Sequence, residues 1–181
     1  MEPRNPIPLV DIVVIDESQD MTLLYFELIV KMANDMCSLD NPLVKDEPHK
    51  FQLLVLGDYM QGLYEFKGAD IRFLTKASEI WSGLPHLLSP NFQQCVLKTS
   101  YRVTNQMAKF VNCDMLGEDR LVACREGTPV VYIRRSRYQI EKIVVYQIQR
   151  LLSEGESPSD IFVLGGSVKG ANSNIRHMEN V

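Results

Sequence analysis

Two short apolar runs constrain the fold of this chain most strongly, because each is nearly continuous and each ends in an acidic residue. The first run is "LVDIVVID" at 9–16, and the second is "FQLLVLGD" at 51–58. Continuous runs of Val, Ile and Leu are typical of strands that are buried on both faces of a parallel sheet. We therefore expect a parallel sheet in which two strands end at Asp16 and Asp58.

The remaining pattern alternates strands with helices. Three further segments are typical of strands, at 94–101, 129–135 and 160–167. Three segments are typical of helices, at 22–36, 104–113 and 138–155. Thr22 and Thr104 are suited to cap the first two helices, and Gly155 is suited to end the third. The alternation predicts an α/β fold with a mainly parallel sheet.

Charge is distributed unevenly over the two halves of the chain. Residues 1–94 carry 7 basic and 14 acidic side chains, whereas residues 95–181 carry 12 basic and 9 acidic ones, for a net charge of −4. An acidic total argues against binding of nucleic acid by bulk charge, although a local groove stays open. The change of sign near residue 94 and the proline-containing stretch 82–93 predict a boundary between two lobes there.

Several protein classes are disfavoured by composition. No apolar run approaches the roughly 20 residues of a membrane span, and the N-terminus does not have the pattern of a secretory signal. The four cysteines, at 37, 95, 113 and 124, form no C-x-x-C pair. We therefore expect reduced, buried thiols in an intracellular protein that does not act at a membrane. The sequence carries no signal that distinguishes a nuclear from a cytoplasmic location.

The stretch "VVIDESQDM" at 13–21 places Asp16 and Glu17 directly after the first strand. Ligands of open α/β sheets gather beyond the carboxyl ends of the strands. Mg²⁺ is typically held by one or two carboxylates together with substrate phosphates, and a neighbouring carboxylate can deprotonate an attacking water. The same pattern also fits a strand that ends in a polar turn capping the next helix, and the residues alone leave both interpretations open.

The stretch "LLVLGDYMQGLYEFKGAD" at 53–70 follows its strand with Gln61, Tyr64, Phe66 and Lys67. Aromatic rings interleaved with a cation are suited to hold single-stranded nucleic acid, because bases stack on rings and phosphates attract the cation. The alternative is a pair of core aromatic residues with a solvated lysine.

The stretch "LKTSYRVTNQMAKFVN" at 97–112 places Tyr101 and Arg102 between a strand and a helix. An arginine from a second lobe can stabilise the charge of a transferring γ-phosphoryl group, and an exposed tyrosine can stack on a base. The alternative is an arginine that pairs with a surface carboxylate.

Taken together and in this order, the three stretches resemble the superfamily-one DNA helicases of the UvrD/Rep type. "DESQD" matches the Walker B box D-E-x-Q-D of that family. "GDYMQGLYEFKGA" is similar to its third box, with Leu63 for Ile and Lys67 for Arg. "LKTSYRVT" is similar to its fourth box, with Ser100 for Asn and Val103 for Ser or Thr. The resemblance extends from about residue 9 to the end.

For the first half of the chain, the resemblance implies a role for each matching residue. Asp16 would hold Mg²⁺, and Glu17 would activate the attacking water. Gln61 would sense the γ-phosphate and couple it to the DNA groove. Tyr64 and Phe66 would stack on bases of a single strand, and Lys67 would assist them.

For the second half, the resemblance implies that Tyr101 stacks on adenine and that Arg102 contacts the γ-phosphate as an arginine finger. Residues 1–90 would then be the C-terminal part of a first RecA-like, ATP-binding lobe. Residues 91–181 would be the N-terminal part of a second RecA-like lobe. ATP and Mg²⁺ are the implied cofactors, and single-stranded DNA is the implied partner.

The phosphate-binding signature G-x-x-x-x-G-K-[ST] does not occur in the sequence. Gly165 and Gly170 have the required separation, but "GAN" follows where G-K-[ST] is needed. We therefore expect a fragment of an ATP-dependent DNA helicase or translocase that has no significant ATPase activity alone, with the missing helicase part as its partner.

Two other functions compete with this one. The first is a non-catalytic module, derived from a helicase, that binds single strands or another protein. The second is an unrelated Mg²⁺-dependent α/β phosphotransfer enzyme that uses Asp16 and Asp58.

Overall fold

The computed structural model describes residues 6–136, 139–168, 170 and 173–178. The chain divides into two compact units, Met1–Val96 and Leu97–Val181. The segment 82–93 packs with the first unit, since Leu84 is buried in its core and Phe92 packs against that core. The assignment of the units to RecA-like lobes remains a prediction.

From residue 6 onward, the first unit contains one pair of parallel strands and three α-helices. Its elements are β1 (Ile12–Ile15), α1 (Leu23–Cys37), β2 (Gln52–Val55), α2 (Arg72–Thr75) and α3 (Ala77–Trp81). Three 3-10 helices lie between them, at Ser18–Asp20, Tyr59–Gln61 and Glu65–Lys67. The predicted first two strands and first helix are therefore present, and Thr22 caps α1 by accepting a hydrogen bond from the Tyr25 amide at 3.4 Å.

The register of the sheet pairs Ile12 with Gln52 and Ile15 with Val55. Val13 and Ile15 point into the core, whereas Ile12 and Val14 on β1 are exposed. Side chains alternate between the two faces of a strand, so only one face of this sheet is covered within the described residues. The prediction of strands buried on both faces is therefore wrong for this structure.

An aromatic cluster lies at the centre of the first unit's core. The Phe26 and Phe73 rings stack at 5.3 Å, and the Phe26 and Trp81 rings meet edge to face at 5.1 Å. Trp81 is fully buried, and its indole N–H donates to the Phe73 carbonyl at 2.8 Å. The hydrogen bond satisfies the one polar atom of this side chain, so the indole can be buried without leaving an unpaired donor.

The second unit has less regular structure. Its elements are β3 (Thr99–Ser100), α4 (Asn105–Lys109), a π-helix (Phe110–Leu116), β4 (Val122–Ala123), α5 (Ile140–Ser153), a 3-10 helix (Pro158–Asp160) and α6 (Asn174–Met178). Thr104 caps α4 as predicted, since its hydroxyl accepts from the Met107 amide at 3.3 Å. The third predicted helix is α5, and Gly155 follows it with a φ of 95°. Position 138 of that prediction lies outside the described residues.

Most of the strands predicted for the second half are absent. The run 94–101 pairs only at Thr99–Ser100, in parallel with Val122–Ala123, and the runs 129–135 and 160–167 form no strand. Several of their apolar side chains, such as Tyr132 and Phe162, are exposed. Short apolar runs become strands only where a neighbouring strand accepts their backbone hydrogen bonds, and these runs have no such neighbour in the described part of the chain.

The cysteines also differ from the prediction. Cys37 is buried, and burial raises the pKa of its thiol. Cys95, Cys113 and Cys124 are free and exposed. The prediction of buried thiols is therefore correct only for Cys37. In the described segments, no helix combines the length and the apolar character required to span a membrane.

Replacing Phe73 by Ala removes one of the three rings of the aromatic cluster. We expect the free energy of unfolding of the first unit to fall by about 3 to 5 kcal/mol, the usual effect of Phe to Ala in a core. Urea denaturation followed by the fluorescence of Trp81, the single tryptophan, reports on this unit. The matched control is Phe66→Ala, whose exposed ring predicts a change within about 0.5 kcal/mol. Equal losses in both variants would contradict the packing.

A second prediction concerns Asp70, which accepts hydrogen bonds from the Arg72 guanidinium at 2.5 to 3.0 Å. These bonds hold the pKa of the Asp70 carboxyl below its ordinary value. A lowered folded-state pKa means that the contribution to stability is complete above the ordinary pKa, about 4, and is lost as pH falls through the folded-state pKa.

We therefore expect Asp70→Asn to be less stable than the wild type at pH 7, with the difference shrinking as pH falls below about 4. Urea denaturation at a series of pH values measures this difference. Arg72→Gln removes the same pair from the other side and should reproduce the pH dependence. A difference that is independent of pH would exclude the ion pair as its cause.

Candidate functional site

The first feature of the candidate site is the turn that follows β1. Glu17 has a φ of 51° and a ψ of 41°, which is the left-handed region that residues other than glycine rarely adopt. Its backbone N–H donates to the Asp16 carboxylate at 2.9 Å, and both side chains are exposed. The strand therefore ends in two accessible carboxylates on a turn that costs the chain roughly 1 to 2 kcal/mol.

Gln19 joins this turn to the end of β2. Its amide nitrogen donates to Glu17 Oε2 at 2.6 Å, and its Oε1 accepts from the Asp58 backbone N–H at 3.1 Å. The Gln19 residue is only 3% exposed. The backbone adds a third link, because the Ser18 N–H donates to the Leu56 carbonyl at 2.9 Å. The carboxyl ends of both strands are thus fixed side by side.

Gly57 leaves the room that this arrangement needs. A Cβ at position 57 would lie 2.5 Å from Gln19 Oε1 and 3.2 Å from the Ser18 amide nitrogen. Real Cβ atoms essentially never approach a non-bonded atom as closely as the first distance, so a side chain at position 57 would displace the Gln19 amide. The glycine that the sequence places between β2 and Asp58 is therefore required by packing against Gln19.

Gln61 lies on the 3-10 helix that follows Asp58. Asp58 Oδ1 accepts from the Met60 amide at 3.0 Å and caps this helix, while Oδ2 accepts from the Gln61 side-chain amide at 3.0 Å. Hydrogen bonds thus connect Glu17, Gln19, Asp58 and Gln61 in series. The structure brings Asp16, Glu17 and Gln61 to the same edge of the sheet.

The predicted aromatic residues and lysine also come together. The Tyr64 and Phe66 rings lie 6.1 Å apart, and Lys67 Nζ lies 4.9 Å from the centre of the Tyr64 ring and 5.7 Å from that of Phe66. Phe66 is 79% exposed. The alternative of core aromatic residues is therefore wrong. A solvent-facing pair of rings with a cation over both is a surface on which bases can stack.

Tyr101 and Arg102 belong to the second unit. Tyr101 is 80% exposed, and Arg102 lies between β3 and α4. The Arg102 carbonyl accepts a hydrogen bond from the Arg125 guanidinium, which ties the loop that precedes α4 to the segment after β4. Both candidate side chains are accessible.

One further polar cluster in the second unit was not expected from the sequence. The Glu126 carboxylate accepts from the Asn105 and Gln106 side chains, each at 2.6 Å, and these bonds lower the pKa of Glu126. Gly127 lies against Thr104, where a Cβ would be 2.3 Å from Thr104 Cγ2. The cluster holds the segment after β4 against the start of α4.

Gln19 was also missed as a site residue. The sequence signal for a role of Gln19 is its position two residues after Glu17, in a turn whose other residues are charged or small. Two buried oxygens lie beside it, Ser18 Oγ and Asp20 Oδ1, and within the described ranges neither has a hydrogen-bond partner. Buried polar atoms without a partner are uncommon in native structures, and a catalytic role is one of the explanations for them.

The oxygen ligands that this edge offers fit Mg²⁺ only together with a phosphate. No cluster of three or more His, Cys, Asp or Glu that could hold a metal occurs in the described residues. Asp16 offers one accessible carboxylate, whereas both Asp58 oxygens accept hydrogen bonds from its own helix. Mg²⁺ commonly takes one or two carboxylates and completes its shell with waters and substrate phosphates. The arrangement therefore disfavours a metal shared by Asp16 and Asp58.

Comparison with known families finds a similarity within the first unit. Residues 9–81 match the model of the UvrD/REP helicase N-terminal domain. The match supports the UvrD-type helicase family and includes every candidate residue from Asp16 to Lys67. Tyr101 and Arg102 lie beyond it. A comparison with curated proteins finds no match.

The left-handed backbone of Glu17 gives a testable consequence. Glu17→Ala and Glu17→Gly both remove the carboxylate that Gln19 contacts, but only glycine adopts this conformation without strain. We expect the glycine variant to be more stable than the alanine variant by about 1 kcal/mol. Urea denaturation monitored by Trp81 fluorescence measures both. An alanine variant that is as stable as the glycine variant would show that the turn is not strained.

Proposed function

We propose that this chain is part of an ATP-dependent DNA helicase or translocase of the UvrD/Rep type. The observation that carries the proposal is the edge of the first unit's sheet, where hydrogen bonds hold Glu17 and Gln61 in one network beside Asp16. The match of residues 9–81 to the helicase N-terminal domain supports the same assignment.

In this function Asp16 would hold Mg²⁺, and Glu17 would orient the attacking water and accept its proton as the water bonds to the γ-phosphate and the bond to ADP breaks. When bound, Mg²⁺ supplies positive charge to the phosphates of ATP. Gln61 contacts the γ-phosphate from the turn after β2. Tyr101 and Arg102 keep the roles that the resemblance implies, stacking on adenine and contact with the γ-phosphate.

Single-stranded DNA is the proposed partner of the aromatic pair. Tyr64 and Phe66 present ring faces to bases, and Lys67 presents a cation to the phosphate backbone. The cluster begins three residues after Gln61, so the proposed nucleotide contact and the proposed DNA contact lie on one short segment. This proximity supports coupling of ATP turnover to movement along a strand.

ATP turnover requires a phosphate-binding loop, and the sequence contains no G-x-x-x-x-G-K-[ST] segment. We therefore infer that residues of this chain hydrolyse ATP only together with a polypeptide that supplies such a loop. The alternative is a non-catalytic module that binds single strands, and the accessible aromatic pair is the feature that favours it. Addition of a loop-bearing helicase piece separates the two, because only the first function then gives ATPase activity that is lost in Glu17→Gln.

The direct test is binding of a fluorescent oligothymidine, measured by anisotropy at several salt concentrations. We expect salt-dependent binding that Phe66→Ala weakens about 5- to 150-fold, the equivalent of about 1 to 3 kcal/mol of stacking on one ring.

Phe162→Ala is the matched control, since Phe162 is equally exposed but lies outside the Tyr64–Phe66–Lys67 cluster. Its affinity for the oligonucleotide should equal that of the wild type. Absence of binding, or equal weakening by the two substitutions, would refute the proposed DNA contact.

A further inference from the structure

The Gln19 side chain contacts both strand ends at the candidate site. It donates to the Glu17 carboxylate at 2.6 Å and accepts from the Asp58 amide at 3.1 Å. We propose that Gln19 is a positioning residue that links the Glu17 carboxylate, through these two hydrogen bonds, to the turn that carries Gln61. The catalytic meaning of this link rests on the proposed function, but the link itself does not.

The two hydrogen bonds of Gln19 strengthen each other. The nitrogen and oxygen of a side-chain amide share one π-system, so donation to a negative acceptor increases the electron density on the oxygen. The Gln19 oxygen then accepts more strongly from the Asp58 N–H, as in other chains of polarised hydrogen bonds. Bonds to an ionised carboxylate are also shorter and stronger than neutral ones, in agreement with the 2.6 Å distance.

Burial makes the two Gln19 hydrogen bonds sensitive to the loss of either partner. Gln19 is 3% exposed, so water has little access to replace either bond. Loss of one partner leaves a buried amide group unpaired, which is more costly than loss of an exposed hydrogen bond. A change at Glu17, such as its substitution or engagement of its carboxylate by another group, is therefore expected to move the Gln19 amide or weaken its hydrogen bonds.

The receiving end of the link is the helix that carries Gln61. The Asp58 N–H is bound by Gln19, and the Asp58 carboxylate holds the Met60 amide and the Gln61 side chain, both at 3.0 Å. A shift of the Asp58 backbone therefore shifts the support of Gln61. Gly57 makes the same connection sterically, because a Cβ there would lie 2.5 Å from the Gln19 oxygen.

The test uses the backbone amide signals of the full chain, recorded by ¹⁵N–¹H NMR without ATP or DNA. Glu17→Gln replaces the carboxylate with a neutral acceptor of the same shape. We expect the Asp58 amide proton to move upfield in this variant, because its hydrogen bond to Gln19 becomes weaker.

The same substitution is then made in a Gln19→Met background, where the side chain keeps its length but has no amide. We expect the response of Asp58 to Glu17→Gln to be lost. A response of equal size in both backgrounds would overturn the proposal, because the charge would then act through space.

Gly57→Ala provides a second variant in case Gln19→Met does not fold. It should also abolish the response of Asp58 to Glu17→Gln by displacing the Gln19 oxygen. Gly62→Ala is the matched control, since a Cβ there would meet its nearest neighbour at 3.4 Å, and its response should equal that of the wild type. A normal response in Gly57→Ala, or a lost response in Gly62→Ala, would also overturn the proposal.

Failure of this proposal and failure of the proposed function give different results. An intact Asp58 response without binding of oligothymidine means that Gln19 connects the two turns but the DNA assignment is wrong. Binding that depends on Phe66 without an Asp58 response means that the DNA assignment is correct but Gln19 does not link Glu17 to the Asp58 turn.

Discussion

The parallel pairing of β1 with β2 is the interaction on which the candidate site depends. Pairing of Ile15 with Val55 continues through the Leu56 N–H, which donates to the Ile15 carbonyl at 2.8 Å, and then through the Ser18 N–H. Because the strands are parallel, their carboxyl ends lie at the same edge. A shift of one residue would turn Ile15 out of the core and move the two turns apart, so the burial of Ile15 also fixes the site.

Packing behind that edge explains why a glycine and a glutamine, Gly57 and Gln19, lie between the carboxylates of Glu17 and Asp58. Gln19 fits under the turn only because Gly57 has no side chain, and its two polar ends are paired with Glu17 and Asp58. A carboxylate at position 19 would face the Glu17 charge, and an apolar side chain would leave the Asp58 N–H without its acceptor. The site thus depends on one neutral group that both donates and accepts.

Local sequence signals were reliable where a few neighbouring residues decide the structure. Thr22 and Thr104 cap their helices, and Gly155 ends α5, because each interaction stays within one helical turn. The apolar runs at 129–135 and 160–167 had the composition of strands and formed none. Strand formation requires a partner that lies far away in sequence, and composition does not say whether that partner is present.

The sequence by itself determined β1, β2 and α1, the two carboxylates after β1, and the aromatic pair with its lysine. It did so because apolar periodicity, helix caps and side-chain chemistry act over short distances along the chain. Only the tertiary structure decided the left-handed turn at Glu17, the pairing of Gln19 with Asp58, and the contact of Lys67 with both rings. Gln19 and Asp58 are 39 residues apart, so their hydrogen bond depends on strand register and on the space at Gly57, and neither can be read from the local pattern.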